Sequence, residues 1–321
     1  MKVYRWDLDK TYLDTDFHSL RGLVRTATEP AHRKRALPGA SALLRALSHQ
    51  KDARVTVISG SPTQMRGVLR EKLALDGIQV DKLVLKDNLG NVRRGRIRAL
   101  RGQLGYKLPA LFEARRHNEP SDSEVLFGDD VESDALVYSV YADSISGRIG
   151  AAEVSRIMER AGAYPDEIDR ALEALVRIQT GRAVERIFIR QERGVPSSRL
   201  ASLGRRVVPV RSWWQAALVL REMDHIQDDT LQSVMRSVYQ DEGEDPWALA
   251  ALAQDMLRRA WVSQETIAAI RGPSDLEYAL SDAVKSLGGH GVEVSEPMHE
   301  AIDYLALLKS DAWNARGQAK R

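Results

Sequence analysis

Cysteine is missing from all 321 residues, which excludes disulfides, thiolate metal sites and a cysteine nucleophile. Long apolar runs are missing too: none reaches the roughly 18 residues that a membrane-spanning helix needs. A strand is expected from Lys2 onward, which leaves no room ahead of it for a cleavable leader, so a cytoplasmic protein is expected. Nor is there an excess of one charge, since 47 basic against 45 acidic residues leave +2. The molecule as a whole therefore exerts no strong pull on nucleic acid, and any basic surface must be local. What is present is the composition of an ordinary globular protein, 43% hydrophobic and 29% charged. The length suits two domains or one large α/β unit with additions.

The richest stretch is Val3-Tyr4-Arg5-Trp6-Asp7-Leu8-Asp9-Lys10-Thr11, a short apolar strand ending in two carboxylates one residue apart. Alternate side chains of a strand share a face, so Asp7 and Asp9 are expected to enter one crevice at its carboxyl end. Three further pieces follow in order. Arg54-Val55-Thr56-Val57-Ile58 reads as a buried strand running into the polar turn Ser59-Gly60-Ser61-Pro62. Lys107 stands at an expected helix start, and Glu124-Val125-Leu126-Phe127 is a strand leading into Gly128-Asp129-Asp130-Val131-Glu132-Ser133-Asp134. Singly, each has an ordinary explanation: a turn, a solvated lysine, acids capping a helix that begins near Glu132. Their joint occurrence in this order, three of them directly after apolar strands, is what carries meaning.

In that order the four pieces resemble the signature of the haloacid dehalogenase superfamily of phosphotransferases. The resemblance implies that Asp7 is a nucleophile forming an aspartyl phosphate, and that Asp9 acts as general acid and then general base while binding the metal through its backbone carbonyl. It implies Ser59 as the hydroxyl on the transferring phosphoryl group and Lys107 as the neutralising cation, with Thr11, Gly60 and Ser61 supporting the turns and the phosphate. The cofactor implied is Mg²⁺, held by Asp7, Asp9 and the final loop, where Asp129 and Asp130 compete for one role and Asp134 stands behind them. Within the superfamily, Ile58-Ser59-Gly60-Ser61-Pro62, the stretch Leu83-Val84-Leu85-Lys86-Asp87, and Gly128-Asp129-Asp130 through Asp134 followed by Tyr138 are most similar to the phosphatidate phosphatase domains related to lipins and the yeast actin-patch enzyme. The chain departs from those domains at Lys10, where they often carry aspartate, and in its doubled Asp129-Asp130.

Strands at Asp81–Leu85, Val184–Ile189 and Val207–Val210 alternate with helices such as Gln64–Leu75 and Ser212–Met223. This predicts an α/β fold, a parallel sheet with helices on both faces and its ligand crevice beyond the carboxyl ends of the strands. The insertion from Tyr12 to Arg35 is too short for a bulky cap. Val154, Ile157, Met158, Ile168, Leu172, Leu175 and Ile178 mark a helical excursion over 151–180, after which the sheet resumes. A catalytic domain over 1–225 and an all-helical region over 226–321 are expected, the latter with helix starts at Asp245-Pro246, Ser274 and Ser295-Glu296-Pro297 and a stop at Gly288-Gly289. Trp213-Trp214 are expected in the core rather than at a lipid surface.

The expected function is Mg²⁺-dependent phosphomonoester hydrolysis, on phosphatidate or a similar anionic ester, lipid or small molecule. Phosphatase action on nucleic-acid ends and a catalytically silent scaffold are the alternatives. The basic residues His32 to Arg35, Arg93, Arg94, Arg96, Arg98 and Arg101 read as a solvated face or as a contact for anionic headgroups; poor interleaving with aromatics disfavours single-stranded nucleic acid. Peripheral membrane contact and oligomeric state stay open.

Overall fold

The structure is a computed structural model. It describes residues 1–15, 29–87, 103–131, 133–181, 183–192, 195–242, 245–272, 274–286 and 301–309. The arginines Arg93 to Arg101, Gly288-Gly289 and the helix start at Ser295 lie outside these residues.

Six strands form one sheet: β1 (Lys2–Trp6), β2 (Ala53–Pro62), β3 (Lys82–Lys86), β4 (Ser123–Asp129), β5 (Val184–Arg190) and β6 (Val207–Val210), in the spatial order β3-β2-β1-β4-β5-β6. Every neighbouring pair is parallel. The chain winds outward from β1 through β2 to β3, then returns to the other side of β1 and winds outward again through β4, β5 and β6. In such a doubly wound sheet the helices leave in opposite directions on either side of the reversal, which opens a crevice at the carboxyl ends of the strands there. Here the reversal falls between β1 and β4, where Trp6 pairs with Phe127.

The strand residues alternate between two cores, as the pleat requires. Tyr4, Trp6, Val55, Val57, Val125, Phe127, Phe188 and Val208 enter one core; Ile58, Leu126, Ile187, Ile189 and Val207 enter the other. The first core contains an aromatic row beneath the crevice: Trp6 stacks on Phe127 with centroids 4.1 Å apart, Phe127 on Phe188 at 5.2 Å, and Trp213 tilts against Trp6 at 5.0 Å. Each such pair contributes about 0.5–1.5 kcal/mol beyond its buried area. Trp213 and Trp214 are both buried, as the apolar run around them suggested.

The second core lies under helices Leu104–Arg115, Asp134–Ile145, Ala151–Arg160 and Pro165–Leu175. Helix Asp134–Ile145 is buried along its whole length, whereas Ala151–Arg160 buries a single face through Val154, Ile157 and Met158. The helices between Asp228 and Lys285 cover the first core, whereas helix Tyr304–Lys309 joins the second through Tyr304 and Leu308. Leu231, Val234 and Val238 of helix Asp228–Glu242 and Leu249, Ala253 and Met256 of helix Pro246–Arg258 join the same hydrophobic cluster as the strands. Asp245 caps Pro246–Arg258 by accepting from the Trp247 amide, the start that Asp-Pro announced. Among the described residues no helix is long and apolar enough to cross a membrane.

Candidate active site

Asp7 is the first residue past β1, and its amide continues the ladder by donating to the Phe127 carbonyl at 2.9 Å. That bond fixes where the side chain leaves the sheet. The chain then closes on itself: the amides of Tyr12 and Leu13 both donate to the Leu8 carbonyl, and the Lys10 amide donates to Leu13. Lys10 sits in the left-handed region with φ 60°, which costs a residue with a Cβ about 1–2 kcal/mol. Outside contacts hold this turn: the Trp213 indole donates to the Thr11 carbonyl at 2.9 Å, and Arg190 donates to the Lys10 carbonyl at 3.4 Å.

Asp7, Asp129 and Asp134 converge, each offering a carboxylate oxygen within 4.8 Å of the others, and all three are buried. Lys107 reaches them from helix Leu104–Arg115, donating to Asp7 Oδ1 at 2.8 Å and to Asp134 Oδ1 at 2.5 Å, with no exposed surface of its own. An ammonium so placed survives burial only because carboxylates neutralise it. Thr11 Oγ1 donates to Asp129 Oδ2 at 3.3 Å, and the Val131 amide donates to Asp129 Oδ1 at 2.6 Å. Gly128 makes the convergence sterically feasible, because a Cβ there would stand 2.5 Å from Asp134 Oδ2 and 2.7 Å from Asp134 Cβ.

The other site residues divide into two settings. Asp9 faces β2, where Ser59 Oγ and Ser61 Oγ both donate to its Oδ2, at 2.9 and 2.8 Å, and the Ser61 amide donates to Ser59 Oγ. The stretch Ser59-Gly60-Ser61-Pro62, expected as a turn, is instead the end of β2. Its pairing with β3 shifts register between Ser59 and Pro62, and this irregularity brings two hydroxyls onto one carboxylate oxygen. Asp130 turns the other way. Its Oδ1 accepts from the Glu192 amide at 2.7 Å and its Oδ2 from the Val195 amide at 2.9 Å, so it ties down the segment after β5. Of the two adjacent acids that the sequence left as rivals, Asp129 stands with Asp7, whereas Asp134, expected behind the metal ligands, stands beside both.

Electrostatics around the crevice follow from burial. Tyr138, whose hydroxyl donates to the Phe127 carbonyl at 3.3 Å, is held well above the usual phenol range by burial and then by the Asp134 charge. Lys34 is buried, unlike its neighbours His32 and Arg33. Burial pulls its ammonium below the ordinary lysine value, against the opposing charges of Glu29 and Asp9. The sequence presented this lysine only as part of a basic run. Arg190 also escaped notice, since nothing in the sequence announces that it pairs in register with Asp129 on the adjoining strand.

Three buried carboxylates against one lysine leave the cluster with excess negative charge, and its donors are all hard oxygens. That donor chemistry suits a divalent cation such as Mg²⁺, with Asp7, Asp129 and Asp134 as its protein ligands. A parallel sheet wound both ways from a central strand, with its acids gathered at the reversal, defines a doubly wound α/β protein with a candidate site at its switch point. Residues 6–154 match the family described as phosphatidate phosphatase APP1, catalytic domain. That stretch holds Asp7, Asp9, Ser59, Lys107, Asp129 and Asp134, and over it the chain is similar to the phosphatidate phosphatase catalytic domain, which supports a phosphatase-type hydrolase. No curated protein and no solved structure was found to match.

Proposed function

We propose that the protein is a Mg²⁺-dependent phosphomonoester hydrolase that forms an aspartyl phosphate on Asp7 and acts on phosphatidate or an anionic ester of that kind. The supporting observation is the Lys107 ammonium lodged between Asp7 and Asp134, within a buried acidic cluster that includes Asp129. Nothing in folding requires a lysine and three acids to meet where the sheet opens; phosphoryl transfer does.

A phosphate monoester is a dianion and resists an anionic nucleophile. Bound to Asp7, Asp129 and Asp134, Mg²⁺ would supply the positive charge that offsets this repulsion. Lys107 adds a fixed charge at Asp7 Oδ1, in a site shielded from water where such a charge acts strongly. The Asp7 carboxylate attacks phosphorus, the ester P–O bond breaks, and Asp9 gives its proton to the departing alkoxide. Asp9, now a carboxylate, takes a proton from water as that water attacks the phosphorus of the acyl phosphate, which returns Asp7 and releases inorganic phosphate. Ser59 and Ser61 hold Asp9 in place, and the Ser59 hydroxyl turns toward the phosphoryl group when substrate enters.

The test is phosphate release from phosphatidate in mixed micelles and from an aryl phosphate, with Mg²⁺, with chelator, and in Asp7→Asn, alongside acid-quench trapping of labelled phosphate on the protein. Metal-dependent release, trapped label, and loss of both in Asp7→Asn are expected. Release that persists in Asp7→Asn would overturn the assignment of the nucleophile.

A further inference from the structure

Asp7, Lys107 and the two serines deal with a single phosphate; whatever else a substrate carries must lie farther along the same edge of the sheet. A cavity of about 630 Å³ lies there, against Trp213, Ala251 and Leu252, with Arg190, Arg211 and Arg258 on its walls. Its position is set by register. Asp129 at the end of β4 pairs with Arg190 of β5, and Arg190 pairs with Val210 of β6, so the backbone before Arg211 lies two strand spacings from Asp129, about 10 Å. The same Trp213 that floors the cavity holds the Thr11 carbonyl of the Asp7 turn, and Arg190 holds the Lys10 carbonyl.

The charges in this cavity are unevenly committed. Arg190 is paired with Glu192 at 2.5 Å. Asp255, the acid on the wall, already accepts from Arg259 at 2.9 Å and Gln215 at 3.2 Å. Among the described residues the Arg258 guanidinium donates to Gln254 at 3.2 Å. Among the described residues no side-chain partner engages the Arg211 guanidinium. A second cavity, also about 630 Å³, shares Pro38 and Arg190 with the first, but its charges balance, Arg35 and Arg190 against Asp14 and Glu192. Of these two cavities at the crevice edge, the surplus of positive charge lies in the first.

We propose that the Arg190, Arg211 and Arg258 cavity receives a second anionic group, phosphate or carboxylate, borne by the substrate itself. Phosphatidate carries no such second anion, so within the anionic esters named above the favoured class is a phosphomonoester with another anion roughly 10 Å from the scissile phosphorus. Guanidinium groups suit such an anion through paired N–H donors, and the apolar floor accommodates the linker between the two charges. For its scissile end this inference rests on the phosphatase reading of Asp7.

Hexane-1,6-diol bisphosphate and hexyl phosphate form a matched pair differing only in the far anion. The ratio of their kcat/KM values is expected to be tenfold or more in the wild-type protein, against the factor of about two that two equivalent phosphates give by statistics. In Arg211→Ala/Arg258→Ala the ratio falls toward two, and in the wild type it shrinks as ionic strength rises. Calorimetric binding of the same two compounds to Asp7→Asn gives a parallel ratio of dissociation constants that needs no turnover. A ratio near two in both measurements, or one that survives the double substitution, overturns the second-anion site. An affinity ratio above ten without hydrolysis of either compound sustains the site while removing the phosphatase reading.

Discussion

At the residue scale the centre depends on an atom that is absent. Gly128 leaves room for Asp134, and a methyl group there would collide with that side chain's Cβ at 2.7 Å. Gly128→Ala is expected to push Asp134 off Lys107 and out of the acidic cluster, lowering phosphatase activity at least tenfold and raising the Mg²⁺ concentration for half-maximal rate. Unchanged metal dependence would show that Asp134 is no ligand. Its neighbours Asp129 and Asp130 separate in the same assay. Asp129→Asn is expected to weaken metal binding, whereas Asp130→Ala releases the Glu192 and Val195 amides, raising KM with little change in the metal requirement. Each bond from an amide to a charged acceptor contributes about 1.5–3 kcal/mol, so Asp130→Ala also lowers the melting temperature.

At the scale of elements, a buried ionic cluster joins β1 and β4 to two helices. Glu124 accepts from Arg5 at 2.5 and 3.0 Å, from Arg115 at 3.0 Å and from the Tyr141 hydroxyl at 2.8 Å. Burial alone would raise the Glu124 carboxyl, but Arg5, with Arg115 and Tyr141, more than offsets this and holds it below the ordinary value. A carboxyl depressed on folding contributes its full stability above its unfolded value, about 4.3, and gives it up as pH falls through the folded value. Thermal stability should therefore decline below about pH 4, and Glu124→Gln should flatten that limb. At neutral pH the same substitution strips a buried guanidinium of its anion, at a cost of about 3–5 kcal/mol. Equal melting temperatures for Glu124→Gln and wild type would contradict this.

The elements also show what a linear sequence conveys. Buried parallel strands read as short apolar runs, so β1 to β6 were visible, and acids directly after such runs pointed to the strand ends. Asp7 and Asp129 were legible because each stood at such a landmark, whereas Lys107, on a helix, was legible only through the family resemblance. The partnership of Asp134 was not, since it depends on the absent Gly128 Cβ and on how helix Asp134–Ile145 enters. The outward turn of Asp130 and the place of Arg190 depend on β5 lying beside β4, a neighbourhood fixed by pairing across more than 50 residues. The β2 end read as a turn because Ser, Gly and Pro dominate it; the register shift that keeps it in the sheet comes from the pairing with β3.

Across the whole molecule, one hydrophobic cluster runs from the sheet into the helices after His225, so events at the acidic centre should be felt as a change in global stability. Asp7, Asp129 and Asp134 repel one another beyond what Lys107 neutralises. A cation that binds there only in the folded state adds RT ln(1 + [M]/Kd), about 2.7 kcal/mol at a hundred times Kd. For a chain of this size that corresponds to a rise of about 4 °C in Tm. Scanning calorimetry at pH 7 is expected to give a single transition that Mg²⁺ moves upward as a whole, with NaCl at matched ionic strength moving it little. In Asp129→Asn the Mg²⁺ shift should vanish, although removing one of three crowded charges raises the metal-free Tm. A Mg²⁺ shift of equal size in that variant would mean that the cation stabilises the protein from somewhere other than the crevice between β1 and β4.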